Sequence, residues 1–172
     1  MGINVSTIEN EEADCEKVYY TYDDIHDLVK EGYTKLEESD FKPDYILAIG
    51  GGGLIPARIL RTYIDVPILV TTLNYYEGES QTPCETPNII QMVDLNMIKD
   101  KNVLIVDEVD DTRNTLKYVI NNILENTNTN LGIFVIHNKN NEKTIDFTDE
   151  TLYIACEETE GDKWIEYPWE CK

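Results

Sequence analysis

The chain of 172 residues is predicted to fold as an α/β protein with a doubly wound, mostly parallel sheet. Two observations support this prediction. Short runs dominated by apolar residues, such as Tyr45–Ile49 and Val103–Asp107, have the length and composition of strands buried on both faces. Each run is followed by a stretch whose apolar residues recur at helical spacing. Strands that alternate with helices favour a parallel sheet, because parallel neighbours need a long crossover connection.

Residues 1–17 are polar and acidic, so we expect a flexible arm followed by one domain over residues 18–172. The first helix is predicted to start after Thr21, because Thr21 and Asp24 have the spacing of a partial capping box. Apolar residues at helical spacing follow this cap: Ile25, Leu28, Val29, Tyr33 and Leu36.

The middle of the chain contains two strand–helix units. The strand Tyr45–Ile49 ends at Gly50–Gly53, and Pro56 suits the first turn of the helix that follows. The strand Val103–Asp107 precedes a helix with an apolar face that includes Leu116 and Val119. Further strands are predicted at Val66–Leu73, Leu131–His137 and Leu152–Cys156.

The segment Asn74–Asn88 is rich in Gly, Pro, Thr and Ser and has little apolar content. It is too long for a simple connection between two elements of a compact domain. We therefore predict a mobile loop over these residues.

The composition limits the classes of partner. Fourteen basic residues against 34 acidic ones give a net charge of −20, so neither a nucleic acid nor a membrane is expected as a partner. The four cysteines show no C-x-x-C spacing, which makes a zinc site improbable. Without a signal peptide or a long apolar run, we expect reduced thiols and a cytoplasmic protein.

The most informative segment is Val103–Thr115, where an apolar strand ends in four acids before a helix begins. A solvated turn with an ordinary helix cap is the simpler interpretation. However, like charges this close repel each other unless a cation or hydroxyl donors satisfy them. Carboxylates bind hard divalent cations, and helix N-termini attract phosphate. The segment therefore predicts a site for a ligand with hydroxyls and a phosphate, together with a metal ion.

This segment resembles the signature of the type I phosphoribosyltransferases: an apolar strand, two acids, two mostly apolar residues, then Asp-Thr-Gly-x-Thr. Residues 107–115 overlay the signature without a gap. The resemblance implies that Asp107 and Glu108 hold Mg²⁺ and the ribose hydroxyls of phosphoribosyl pyrophosphate. It also implies that Asp111 acts as general base or acid near N7 of a purine. The residues implied to bind the 5′-phosphate are Asp111, Thr112, Arg113, Asn114 and Thr115.

Two positions depart from the family pattern. Asp110 stands where an apolar residue is usual, and Arg113 replaces the glycine that lets the backbone approach the phosphate. We expect the Arg113 side chain either to turn outward or to contact the phosphate itself.

The glycine run Gly50–Gly53 follows a strand and allows close backbone approach to a pyrophosphate, although a flexible turn is equally consistent with it. It has neither the dinucleotide-binding spacing nor a Walker A lysine. Gly-Gly-Leu-Ile-Pro resembles the Gly-Gly-Leu-Val-Pro of bacterial xanthine-guanine enzymes. That resemblance implies that Gly51 and Gly52 bind pyrophosphate and are joined by a cis peptide bond. Because those enzymes carry a basic residue in place of Gly51, pyrophosphate binding here is expected to depend more on Mg²⁺ and on Arg58 or Arg61.

The segment Asp162–Trp169 matches the base-binding end of microbial xanthine and xanthine-guanine phosphoribosyltransferases. The match implies that Trp164 stacks on the purine and that the Ile165 backbone contacts the purine 2-substituent. Lys139 aligns with the lysine that donates to the 6-oxo group. Tyr76 falls where the family begins a flexible loop that closes over pyrophosphate. The alternative for this segment is a terminal strand whose tryptophans fill the core.

The resemblance spans about residues 20–170 and implies the type I phosphoribosyltransferase fold, with a small hood formed by the terminal segments. The implied activity is purine salvage, in which xanthine, guanine or hypoxanthine is joined to phosphoribosyl pyrophosphate, giving a nucleotide and pyrophosphate. A non-catalytic sensor of phosphoribosyl pyrophosphate or nucleotides on the same fold is the alternative. Relatives are commonly dimers or tetramers, so a homo-oligomer is expected.

Overall fold

The computed structural model describes residues 16–77, 82–148, 150–161 and 163–170. Six strands form a sheet in the order β4-β3-β2-β5-β6-β7, and β1 and β8 form a separate ribbon. The strands are β1 Lys17–Tyr19, β2 Tyr45–Gly50, β3 Ile68–Glu77, β4 Thr82–Gln91, β5 Asn102–Asp110, β6 Asn130–Lys139, β7 Leu152–Thr159 and β8 Trp164–Glu166. The helices are α1 Tyr22–Glu38, α2 Leu54–Leu60, α3 Leu95–Ile98 and α4 Asn114–Leu124.

The central strands are parallel, which confirms the predicted α/β fold with a mostly parallel sheet. One face of the sheet packs against α1 and α2, in a core that includes Phe134 and Ile136. The other face packs against α4, in a second core that includes Ile105 and Ile133. Because both faces are covered, the central strands are apolar throughout rather than alternating.

Helix α1 begins at the predicted cap. The Thr21 hydroxyl accepts from the Asp24 backbone N–H, and the Asp24 carboxylate accepts from the Thr21 backbone N–H, so the capping box is complete. Further along α1, a Cβ on Gly32 would lie 2.5 Å from the Cys156 sulfur and 2.6 Å from the Phe134 ring. The glycine therefore lets the helix approach the sheet closely, at the cost of helix propensity.

The prediction of a mobile loop over Asn74–Asn88 is wrong for the described part of that segment. Strand β3 continues to Glu77 and pairs antiparallel with β4, with Tyr76 opposite Pro83. The polar, proline-containing composition that indicated a loop is compatible with β4, because β4 is the edge strand, where Pro is tolerated. Only residues 78–81 of the predicted loop lie outside the described residues.

The two ends of the described chain meet in a parallel ribbon, in which Lys17 of β1 lies opposite Trp164 of β8. The hood was predicted to form from the terminal segments, and this ribbon is what those segments form in the structure. Of the predicted arm over residues 1–17, residues 1–15 lie outside the description, and Lys17 already belongs to β1. Across the described ranges, no helix is both long and apolar enough to cross a bilayer.

Candidate active site

The glycine run and the acidic run meet at one edge of the sheet. Strands β2 and β5 are parallel neighbours, with Ala48 opposite Val106, so their carboxyl ends lie side by side. After β2 the chain continues to β3 on one side of this strand pair, and after β5 it continues to β6 on the other side. This change of direction makes the edge the topological switch point, where open α/β sheets bind ligands. A cleft of about 270 Å³ opens there, lined by residues 49–52, Leu73 and residues 107–116.

The glycine turn fits closely against the acidic strand. A Cβ on Gly52 would overlap the Glu108 carboxyl group, so only glycine allows that carboxylate its position. The cis peptide bond joins Gly50 and Gly51 rather than Gly51 and Gly52. The prediction was therefore wrong by one residue, because the chain turns directly at the end of β2, which closes at Gly50.

Asp107 and Glu108 are partly buried side by side at the cleft. Burial, with a smaller effect from neighbouring Glu108, raises the pKa of Asp107 to about 8. Burial raises the pKa of Glu108 to about 7, although a hydrogen bond from Trp169 opposes that rise. A cation or hydroxyl donors beside these two carboxyl groups would stabilise their ionised forms and lower both pKa values.

The C-terminal segment holds Glu108 in place. The Trp169 indole N–H donates to Glu108 Oε2 at 3.0 Å, and the Tyr167 hydroxyl donates to the Glu108 backbone carbonyl at 3.1 Å. The Tyr167 and Trp169 rings stack, with centroids 4.7 Å apart. The sequence assigned no role to these two residues, although both belong to the aromatic segment Asp162–Trp169 that it singled out.

The two departures from the family pattern explain each other. Arg113 Nε donates to Asp110 Oδ2 at 2.9 Å, and both side chains are almost fully buried. The Arg113 guanidinium also donates to the Ile145 carbonyl and lies 4.1 Å from the centre of the Phe147 ring. Its charge is thus directed into the protein, so the prediction that this side chain turns outward is wrong. Arg113 is nevertheless among the residues that line the cleft.

Arg113 has a left-handed backbone conformation, with φ of 70°. This conformation is the reason for the glycine that is usual at this position, because a side chain there costs about 1 kcal/mol or more. Here the ion pair with Asp110 holds the Arg113 side chain in place. Tyr153 adds a further hydrogen bond to Asp110, through its hydroxyl at 2.8 Å.

Residues 111–113 lead from β5 into α4, and we call them the phosphate loop after their predicted role. Asp111 begins this loop, and its side chain is about half exposed. Lys139 Nζ lies 3.7 Å from Asp111 Oδ2, so the structure brings these two predicted residues together. The Asn141 amide donates to Asp111 Oδ1, a contact that no sequence motif indicated.

Among the remaining predicted residues, those with a described side chain do not line this cleft. Trp164 and Ile165 belong to β8 and are not among the described residues that line it; Trp164 is 54% exposed and Ile165 is buried. Tyr76 lies in β3, and its side chain is outside the description. Arg58 is exposed on α2 and donates to Thr62.

His137, at the carboxyl end of β6, is fully buried behind the aromatic segment. Its Nδ1 lies 2.8 Å from the Tyr167 hydroxyl, and burial lowers the pKa of His137 to about 4. Glu157 lies 3.4 Å from Nε2 and would favour the protonated ring. Because that carboxylate is 40% exposed to water, the burial of the ring dominates, and His137 is neutral at pH 7.

A comparison with known protein families agrees with this geometry. Residues 21–172 match the phosphoribosyl transferase domain. The chain belongs to the phosphoribosyltransferase family.

Relatives cover almost the whole phosphoribosyltransferase chain. Hypoxanthine-guanine phosphoribosyltransferase of Schizosaccharomyces pombe is 39% identical, over 91% of this chain and 90% of its own. Xanthine phosphoribosyltransferase 1 of Saccharomyces cerevisiae is 32% identical, over 93% and 92%. A solved hypothetical protein from Neisseria gonorrhoeae with bound ppGpp is 36% identical, covers 91% of this chain and 90% of its own, and has a TM-score of 0.80.

This phosphoribosyltransferase is expected to lose about 2–4 kcal/mol of folding free energy in Arg113→Gly, because the buried Asp110 carboxylate loses its main partner. The double variant D110V/R113G, which has the usual family pattern, should recover most of that loss. Urea unfolding of the parent, both single variants and the double variant measures the coupling. Additive effects of the two substitutions would show that the residues do not depend on each other.

The phosphoribosyltransferase should also lose stability as the pH falls from about 6.5 towards 4. Unfolding raises the pKa of His137 from about 4 to its ordinary value, so the unfolded state binds more protons in that range. His137→Asn keeps a polar atom near Tyr167 but cannot titrate. The loss of unfolding free energy between pH 7.5 and 4.5 should therefore be smaller in the variant by roughly 2 kcal/mol.

The other histidine, His26, is exposed on α1, so His26→Asn is the matched control. Its pH dependence of unfolding should follow that of the parent. An identical slope in His137→Asn and the parent would show that His137 does not contribute to the acid sensitivity.

Proposed function

We propose that this phosphoribosyltransferase joins a 6-oxopurine to phosphoribosyl pyrophosphate, releasing pyrophosphate and forming a nucleoside monophosphate. The observation that carries the proposal is the cleft at the β2–β5 switch point, where a glycine turn, two adjacent acids and the loop before α4 meet. The relatives named as hypoxanthine-guanine and xanthine phosphoribosyltransferases support xanthine, guanine or hypoxanthine as the acceptor.

Each part of the cleft suits one part of phosphoribosyl pyrophosphate. Backbone N–H groups of residues 111–115, at the N-terminus of α4, would bind the 5′-phosphate. Asp107 and Glu108 would accept hydrogen bonds from the ribose hydroxyls. Gly51 and Gly52 would present the backbone to pyrophosphate, since a Cβ on Gly51 would meet nothing within 4 Å.

Asp111 would exchange a proton with N7 of the purine as the bond to the sugar forms. Its side chain is half exposed at the start of the loop and lies beside Lys139, the proposed donor to the 6-oxo group. The ammonium group of Lys139 would favour negative charge on that oxygen while Asp111 manages the proton.

The exposed face of Trp164 is available to stack on a flat heterocycle, with the Ile165 backbone beside it. The solved Neisseria gonorrhoeae relative holds ppGpp, a guanine nucleotide, which supports a ligand that contains a purine. The curated relatives are named as transferases, and this favours turnover over the alternative of a non-catalytic sensor.

Mg²⁺ fits the donor set of this site. The ion prefers oxygen ligands and often binds one or two carboxylates together with substrate phosphates. Asp107 and Glu108 are such a pair, side by side at the carboxyl end of β5 and lining the cleft. We propose that they hold the ion together with substrate oxygens; when bound, it would lower the charge of the leaving pyrophosphate.

A homo-oligomer in the cytoplasm remains part of the proposal. The homo-oligomer is supported by exposed apolar side chains on α2 and on the edge strand β4, namely Leu54, Ile89 and Ile90.

Purified protein with Mg²⁺ and phosphoribosyl pyrophosphate should release pyrophosphate and form nucleotide with at least one of xanthine, guanine and hypoxanthine. Asp111→Asn should lower kcat about 100-fold or more, because proton transfer is lost, with little change in the thermal midpoint. Asp146→Asn, at an exposed loop position, is the matched control. No pyrophosphate release with any of the three purines would overturn the proposed function.

Removal of divalent cations with EDTA should abolish nucleotide formation, and added Mg²⁺ should restore it. Asp107→Asn should raise the Mg²⁺ concentration for half-maximal rate about tenfold, because one anionic ligand is lost. Initial rates measured over a Mg²⁺ titration test both expectations. Full activity of the parent in EDTA would contradict the proposed role of the ion.

A further inference from the structure

Residues 139–144, which start at the last residue of β6, lie against the start of the phosphate loop, and we call them the brace. Its side chains alternate: Lys139, Asn141 and Lys143 contact residues 110–111, whereas Asn140 and Glu142 are exposed. The alternation directs one row of polar side chains at the loop.

Lys143 and Thr144 fix the backbone of the loop. Lys143 Nζ donates to the carbonyls of Asp110 and Asp111 at 2.7 and 2.6 Å, and to the Lys139 carbonyl at 2.8 Å. The Thr144 backbone N–H and hydroxyl both donate to the Thr112 carbonyl. The main chain on both sides of the Asp111 side chain is therefore held by the brace.

Asn141 contacts the Asp111 side chain itself. Its amide nitrogen donates to Asp111 Oδ1 and, at 3.2 Å, to the Gly161 carbonyl. A Cβ on Gly161 would overlap the Asn141 amide oxygen, so glycine is needed for this approach. One amide group thus joins Asp111 to the turn that leads into β8 and Trp164.

An exposed aspartate has rotamer freedom that must be lost before it can exchange a proton at one defined atom. The Asn141 amide restricts that freedom without adding a charge. It leaves Asp111 Oδ2 on the side of Lys139. The orientation of Asp111 consequently depends on where the turn at Gly161 lies.

We propose that Asn141 is a positioning residue that orients the Asp111 carboxylate and couples it to the segment carrying Trp164. The inference rests on the proposed function for its role in turnover. The contact between Asn141 and Asp111 is independent of the proposed function. This contact would affect the binding of a purine nucleotide whether or not turnover occurs.

Asn141→Ala should lower kcat about tenfold while the KM for phosphoribosyl pyrophosphate changes less than about threefold, because Lys143 and Thr144 still hold the loop backbone. Asn141→Asp, of the same size, should lower kcat further because its carboxylate repels that of Asp111. Asn141→Gln, which retains an amide, should recover part of the activity. Asn140→Ala, the exposed neighbour, is the matched control and should behave as the parent.

The decisive comparison introduces Asn141→Ala into an Asp111→Ala background. There Asn141→Ala should cause no further loss of kcat, because its partner is already absent. An equal loss in both backgrounds, or unchanged kcat in Asn141→Ala, would overturn the inference. A parallel fall in kcat, substrate affinity and thermal midpoint would do the same, since it indicates only a structural role.

Equilibrium binding of GMP separates this inference from the proposed function. If the parent shows no turnover, the proposed function fails. The parent, Asn141→Ala, Asp111→Ala and the double variant are then compared by their affinity for GMP. Asn141→Ala should then weaken binding about threefold or more with Asp111 present and have no effect without it. Equal effects in both backgrounds would again overturn the inference.

Discussion

The parallel pairing of β2 with β5 is the constraint on which the site depends. These strands are separated by more than 50 residues of chain, yet Tyr45 lies opposite Val103 and Ala48 opposite Val106. The register sets the glycine turn directly beside the acidic run, close enough for Gly52 to touch the Glu108 carboxyl group. A shift of one residue would exchange the buried faces of β5 and move its acids relative to the turn. Packing of the apolar core therefore also fixes the distance between the parts of the site.

A protein with a net charge of −20 proposed to bind an anionic substrate must provide favourable electrostatics locally. Three of its 14 basic residues, Arg113, Lys139 and Lys143, surround Asp110 and Asp111. Arg113 and Lys143 are committed to internal carboxylate and carbonyl partners. Their effect on a ligand is therefore indirect, because they hold in place the loop that lines the cleft.

Much of the fold was predictable because buried parallel strands leave a strong apolar signal, and because the Thr21–Asp24 cap is a local interaction. The β3–β4 hairpin was missed because an edge strand exposed to water has no such signal. Arg113 was recognised as anomalous, but its direction depends on Ile145 and Phe147, more than 30 residues away in sequence. Asn141 left no trace in the sequence, since its role comes from the path of the brace and not from a motif.

The position of the aromatic residues after β8 has a consequence for the newly made chain. Tyr167 and Trp169, which fix Glu108, follow every strand of the central sheet in chain order. During synthesis, when the earlier parts of a chain fold first, the sheet can assemble on the ribosome before these aromatic residues emerge. Glu108 is then without its indole partner, so the nascent protein acquires its core before the Glu108 carboxylate is held in place.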